Sequence, residues 1–104
     1  MPLVDVEMLS GPETTDGAAN RVAEAIGEAL AAPAGSVWVR LRVLSEEDFA
    51  ETGGAPGRTV FVRVLMAQTL IDPEGTTHAV AEAVAEATGR ASDEVHVVIA
   101  PPGS

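Results

Sequence analysis

The reactive group that this chain offers most directly is at its amino terminus, where Pro2 immediately precedes an alternating segment, residues 3–9. A small second residue normally allows the initiator methionine to be removed, which would leave Pro2 with a free secondary amine. The reference pKa of an α-amino group is about 7.7–8.0, and burial or nearby positive charge lowers it. A neutral amine in a dry pocket can act as a general base or a nucleophile. The alternative is that Pro2 is only an early residue of an edge strand.

Arginines are the second candidate group, because the sequence contains no lysine. Arg40 and Arg42 alternate on one face of the segment 37–43, and arginine can bind a carboxylate through two parallel hydrogen bonds. They are therefore candidates to bind an anionic substrate. The competing interpretation is structural, because Asp5 and Glu7 would pair with them if the two strands were neighbours. In an oligomer such pairs would be interface salt bridges.

Two aromatic residues and a histidine complete the candidate site. Trp38 lies on the arginine side of its strand, where it would either wall an active site or fill a subunit interface. Phe49 is an apolar residue in an acidic segment, where it would either help to wall the site or only pack against a neighbouring element. His96 lies in the segment 95–99 and is either a structural histidine or an acid–base group.

Composition excludes several classes of partner. The net charge of −10 argues against nucleic acid and against an anionic membrane surface. There is no cysteine, and the two histidines, His78 and His96, have no ligand spacing, so we expect no metal. No signal peptide or spanning segment is evident, and we expect a cytoplasmic protein.

Hydrophobic periodicity predicts four strands and two helices. The strands are predicted at residues 3–9, 37–43, 59–67 and 95–99. The first helix is predicted to follow a cap among Thr14, Thr15 and Asp16 and to end near residue 31. The second follows the turn 72–75 and ends at Gly89. The connector 45–58 is read as a loop or a short hairpin.

The order of these elements is βαβ–βαβ in a single domain, residues 1–104, with repeats at 2–44 and 59–100. This predicts an α/β (α+β) fold with a four-stranded sheet and two helices on one face. Two folds share the order, the ferredoxin-like split βαβ and the tautomerase fold with two βαβ units side by side. Periodicity alone does not choose between them.

The residues from Pro2 to Gly54 resemble the 4-oxalocrotonate tautomerase family. The matching features are Pro2, Gly11, Ala31-Ala32-Pro33, Ser36-Val37, Phe49 and Gly53-Gly54. The second half resembles a diverged copy with Val60 in the place of Pro2. The resemblance implies catalysis by Pro2 without a cofactor, a small carboxylated substrate, and a homo-trimer with sites at subunit boundaries.

Two positions depart from the family pattern. Pro12 and Trp38 stand where the family commonly has arginines, and the counterpart of Trp38 in the second half is His96. The substrate of the best-known family member therefore does not transfer to this chain.

Three functions remain as hypotheses. The first is a tautomerase or isomerase in which Pro2 is the general base on a small enol or α-keto acid. The second is a decarboxylase, hydratase or dehalogenase in which protonated Pro2 acts as an acid. The third is a non-catalytic oligomeric interaction module.

Overall fold

The computed structural model describes residues 2–11, 16–54, 57–67 and 70–101. Its main elements follow the predicted order: β1 (Leu3–Leu9), α1 (Ala18–Ala29), β2 (Trp38–Leu44), β3 (Val60–Leu65), α2 (Pro73–Thr88) and β4 (Val95–Ala100). Short 3₁₀ turns at Glu46–Asp48 and Ser92–Glu94 lie in the connections. The described part of the connector contains no strand, so the hairpin alternative finds no support there.

The four strands form one mixed sheet in the order β2-β1-β3-β4. β1 and β2 are parallel, β3 and β4 are parallel, and the two central strands, β1 and β3, are antiparallel. The two strands of each βαβ unit are thus direct neighbours, whereas in a split βαβ unit another strand lies between them. The structure therefore confirms the tautomerase-like alternative.

One face of the sheet is covered by both helices. Val4, Val6 and Met8 alternate onto this face of β1 and are at most 1% exposed. Their partners in the core are mainly valines of β3 and branched residues of the two helices: Val60, Val62, Val64, Val22, Ile26, Val80 and Val84. Because the strand period is two, the intervening side chains point to the opposite face, which we call the outer face.

The helix ends differ in how they are capped. Asp72 caps α2, its carboxylate accepting a hydrogen bond from the backbone N–H of Gly75 at 3.0 Å, and Gly89 ends the helix as predicted with φ 72°. α1 instead begins after Gly17, which has φ 71° and provides no side-chain cap. The prediction that Asp16 caps α1 is therefore wrong. Thr14 and Thr15 lie outside the described residues.

A buried arginine joins the two units at one end of the sheet. Arg90, only 6% exposed, donates from Nη2 to the carbonyl of Leu9 and from Nη1 to the carbonyl of Arg58, both at 2.8 Å. These contacts tie the end of β1 to the segment that enters β3. No helix in the described residues is long and apolar enough to cross a membrane.

Candidate active site

Pro2 lies just before β1 and on the helix-covered side of the sheet. It has the same parity as Val4, and it is buried. Its carbonyl oxygen accepts a hydrogen bond from the backbone N–H of Trp38 at 3.1 Å, which extends the β1–β2 ladder by one residue. The position of Pro2 is therefore set by sheet hydrogen bonding and by packing. Met1 lies outside the described residues, so its removal remains a prediction.

A pocket of about 470 Å³ opens beside Pro2. Its walls come from the end of α1 and the chain that follows it, from the end of β3, and from the start of α2. The lining residues are Ala29, Leu30, Ala31, Ala32, Pro33, Ser36, Met66, Leu70 and Thr76. A volume of this size accommodates a small organic molecule.

The wall from α1 depends on an unusual backbone conformation at Ala31. This residue has φ 51°, the only positive φ outside glycine among the described residues. It allows the N–H of Ala31 to bond the carbonyl of Glu28 at 3.1 Å and the N–H of Ala32 to bond that of Gly27 at 2.9 Å. A left-handed residue at a helix end is usually glycine, because the Cβ of other residues is crowded there. Backbone strain of this kind therefore lies in the wall of the Pro2 pocket.

Trp38 is beside Pro2 through its backbone but not through its side chain. Its indole is on the outer face of β2, and the residue is 58% exposed. It does not line the Pro2 pocket of its own chain. Of its two predicted roles, filling a subunit interface agrees with this exposure better than walling the site within one chain.

Arg40 and Arg42 also lie on the outer face, paired with carboxylates of β1. Arg40 donates from Nε and Nη2 to the two carboxylate oxygens of Asp5 at 2.7 and 3.0 Å, and Arg42 Nη2 is 3.0 Å from Glu7. The hydrogen bond from Arg40 lowers the pKa of Asp5. These are the ion pairs that the structural interpretation of the arginines predicted.

The remaining predicted residues, Phe49 and His96, flank a third aromatic ring at the far end of the outer face. The ring centroid of Phe61 is 5.9 Å from that of Phe49 and 6.3 Å from that of His96. Phe61 is not among the residues predicted from the sequence, although its outward position in the alternation of β3 is a signal that identifies it. This cluster borders an open groove that is also lined by the paired arginines.

The sequence-predicted site therefore separates into two places within one chain. Arg40, Arg42 and His96 share the outer groove, with Phe49 next to it, whereas Pro2 faces the helix side. The actual neighbours of Pro2, such as Leu30, Met66 and Leu70, were not predicted. Their residue types carry no chemical signal, and only tertiary packing brings them together.

Comparisons with known proteins identify the class of fold. No family model and no curated relative matches the chain. Solved structures do match. Pt0534 inactivated by 2-oxo-3-pentynoate has a TM-score of 0.78 at 19% identity, covering 95% of this chain and 84% of that one. A fused 4-OT described as a symmetric trimer has a TM-score of 0.71 at 21% identity, covering 93% and 82%.

A third match is to malonate semialdehyde decarboxylase, with a TM-score of 0.70 at 16% identity, covering 95% of this chain and 83% of that one. The chain therefore has the tautomerase-superfamily fold in its doubled βαβ form, as the resemblance in residues 2–54 predicted. Proteins with this fold include enzymes of different activities.

Proposed function

We propose that this protein is a cofactor-independent enzyme of the tautomerase type, in which the amine of Pro2 is the general base. The observation that carries the proposal is the burial of Pro2 beside a pocket of about 470 Å³. The amine would take a proton from an enol oxygen or from the carbon next to a carbonyl, and return it at the other end of the conjugated system. Positioned proton transfer of this kind contributes roughly 10²–10⁴-fold to a rate.

The β-ladder supports this proposal because it fixes the direction of the amine. The carbonyl of Pro2 is held by Trp38, and its ring packs on the core side. A base must lie within hydrogen-bond reach of the proton it removes. A terminus in which the carbonyl of the reactive residue itself is anchored meets this requirement better than a free chain end.

We also propose that the enzyme is a homo-trimer. Support comes from the outer face, where Trp38, Phe61 and Val98 are 58%, 37% and 59% exposed among paired charges, and from the trimeric fused 4-OT of the same fold. Exposed apolar side chains of this extent are typical of an interface. A role for Arg40, Arg42, Phe49 or His96 in substrate binding would then require a neighbouring subunit, because all four lie away from the Pro2 pocket of their own chain.

A second candidate function uses protonated Pro2 as an acid, for decarboxylation, hydration or dehalogenation. The specific observation in its favour is that acids flank the lining residues in the sequence: Glu28 precedes Ala29, and Asp72 and Glu74 lie between Leu70 and Thr76, with no basic residue among them. Carboxylates favour a positively charged neighbour. The pH dependence separates the two candidates, because a base loses activity as the pH falls and an acid loses it as the pH rises.

The proposal is tested by measuring hydrogen–deuterium exchange at the carbon next to the carbonyl of small ketones and α-keto acids. Intact mass spectrometry first establishes that Met1 is absent. We expect Pro2→Ala, and a variant with one glycine inserted before Pro2, to lose most of the exchange activity. Pro101→Ala, a proline change outside the pocket, is the matched control.

Two results would refute an enzymatic role for the amine. One is a retained Met1 in the purified protein. The other is exchange no faster than that produced by a free peptide of residues 2–7. Either would favour the non-catalytic interaction module.

A further inference from the structure

We infer that the Pro2 pocket binds an uncharged carbonyl compound, a ketone or aldehyde with a short apolar chain, in preference to a carboxylate. This inference rests on the proposed function and narrows its substrate class. It follows from four properties: an apolar lining, two donors of the lining (the Ser36 hydroxyl and the Thr76 backbone N–H) that already have partners, acids next to the lining residues in the sequence, and the position of every arginine in the chain.

The lining offers apolar contact and few donors. Leu30, Met66 and Leu70 supply the larger apolar side chains. Ser36 is polar, but its hydroxyl donates to the carbonyl of Pro33 at 2.6 Å. The backbone N–H of Thr76 is likewise used, by the carbonyl of Asp72 at 2.9 Å. A carboxylate placed here would lose its hydration without a matching set of hydrogen bonds, which is costly.

Local charge also opposes an anion. Glu28 precedes the lining residue Ala29, and Asp72 and Glu74 lie between the lining residues Leu70 and Thr76 in the sequence; none of the three acids lines the pocket itself, and no arginine lies among these residues. Like charges near one site disfavour a further negative group. A neutral substrate does not incur this repulsion.

All six arginines are directed to other parts of the molecule. Arg40, Arg42 and Arg63 line the groove on the outer face. Arg21 Nε donates to the carbonyl of Ala87, near the end of α2 remote from the pocket, at 3.1 Å.

The last two arginines are at the opposite end of the sheet from Pro2. Arg58 Nη2 donates to the carbonyl of Gly89 at 3.4 Å, and Arg90 is bonded to the carbonyl of Leu9, the last residue of β1. Because the sequence has no lysine, the chain supplies no side-chain cation to its own Pro2 pocket.

The test compares reductive trapping of two ketones that share a propyl chain, 2-pentanone and 2-oxopentanoate. The proline nitrogen attacks the carbonyl carbon, water leaves as the iminium forms, and hydride from added cyanoborohydride reduces the iminium to a tertiary amine. With no lysine in the chain, the amino terminus is the only amine that can be labelled. The trapping rate for each ketone is divided by its rate with the free peptide of residues 2–7, which corrects for intrinsic reactivity.

We expect a ratio of at least about tenfold for 2-pentanone, since a confined and oriented ketone reacts faster, and a clearly smaller ratio for 2-oxopentanoate. Leu70→Arg, which adds a cation to the wall, should raise the ratio for 2-oxopentanoate, whereas Leu70→Gln should not.

An equal or larger ratio for 2-oxopentanoate in the unmodified protein would overturn the inference and leave the proposed function standing. Ratios near one for both ketones would overturn the inference, and the hydrogen–deuterium exchange assay would then decide separately whether Pro2 acts as a base.

Discussion

Arg40 and Asp5 form a two-point hydrogen-bonded ion pair across the parallel strands β1 and β2, with both carboxylate oxygens engaged. The pair lies on the outer face, so it stabilises the arrangement of the strands and does not contact Pro2. Its most direct consequence is a pH dependence of folding.

Folding stability should fall in acid partly because Asp5 becomes protonated. The hydrogen bond from Arg40 lowers the pKa of Asp5 below its reference value of 3.8, partial burial opposes this, and the charges of Arg63 and Arg42 add to the lowering. Because the folded-state pKa is the lower one, the stabilisation is complete above the reference value and is lost as the pH falls through the folded-state value. Urea titrations between about pH 5 and pH 2 should therefore show a smaller loss for Asp5→Asn than for the unmodified protein.

The matched control for this titration is Glu47→Gln, in the exposed 3₁₀ turn Glu46–Asp48. It should keep the acid sensitivity of the unmodified protein. If Asp5→Asn and Glu47→Gln lost the same stability on acidification, the ion pair would not be a source of the pH dependence.

Ala31→Gly should stabilise the protein. The left-handed conformation at φ 51° costs a residue with a Cβ about 1 kcal/mol, and glycine adopts it without that penalty. Part of the gain is offset by the greater freedom of glycine in the unfolded chain. We expect a higher urea midpoint at an unchanged slope.

Ala34→Gly provides the comparison, because Ala34 is in the next turn along the chain and does not have a positive φ. It should lower the urea midpoint. A lower midpoint for both variants would contradict the assignment of strain to Ala31.

Removing the buried guanidinium of Arg90 should destabilise the fold strongly. Arg90→Ala leaves the carbonyls of Leu9 and Arg58 without these donors, and a hydrogen bond to a charged group contributes roughly 1.5–3 kcal/mol. We expect the free energy of unfolding, measured by urea denaturation, to fall by at least that amount.

The control is Arg58→Ala, which removes a partly exposed side chain that lies 3.4 Å from Glu94 and should lower the free energy of unfolding by less than about 1 kcal/mol. Equal losses in the two variants would show that burial does not make Arg90 more stabilising than the partly exposed Arg58.

The outer face should control assembly. Val98→Lys places a charge among its exposed apolar side chains, and we expect it to shift the trimer towards monomer in sedimentation velocity experiments, because an interface core excludes unpaired charge. Ile71→Lys is the control, since Ile71 is fully exposed in the connection before α2 and lies off the sheet. A monomeric unmodified protein, or equal dissociation by both variants, would contradict assembly through this face.

Much of this arrangement could be predicted from the alternation of residues along the strands. The alternation of segment 3–9 places Asp5 and Glu7 on the face away from the core. The alternation of segment 37–43 does the same for Arg40 and Arg42, so the pairing of these four residues was predictable. The same parity places Pro2 with Val4 on the helix side, which already separates it from the arginines.

Features set by tertiary packing could not be predicted in this way. The wall formed by Leu30, Met66 and Leu70 joins residues from three elements, and no local pattern specifies that they meet. The predicted N-cap of α1 is wrong for a local reason: side-chain oxygens normally cap helices, but here Gly17 adopts a left-handed conformation at the cap position.

The antiparallel pairing of Asp5 with Arg63 bears on why the two units are joined in one chain. With Val60 in the place of Pro2, Asp5 and Arg63 occupy the same position in the two units. The strand register agrees, since Leu3 pairs with Trp38 and its counterpart Phe61 pairs with His96. If two identical half-length chains associated in this way, the residue at this position would meet its own copy, and a carboxylate would face a carboxylate. Covalent linkage lets the two sides carry opposite charges, and it also leaves two units with a single amino terminus, so any chemistry in the second unit has to work without the amine.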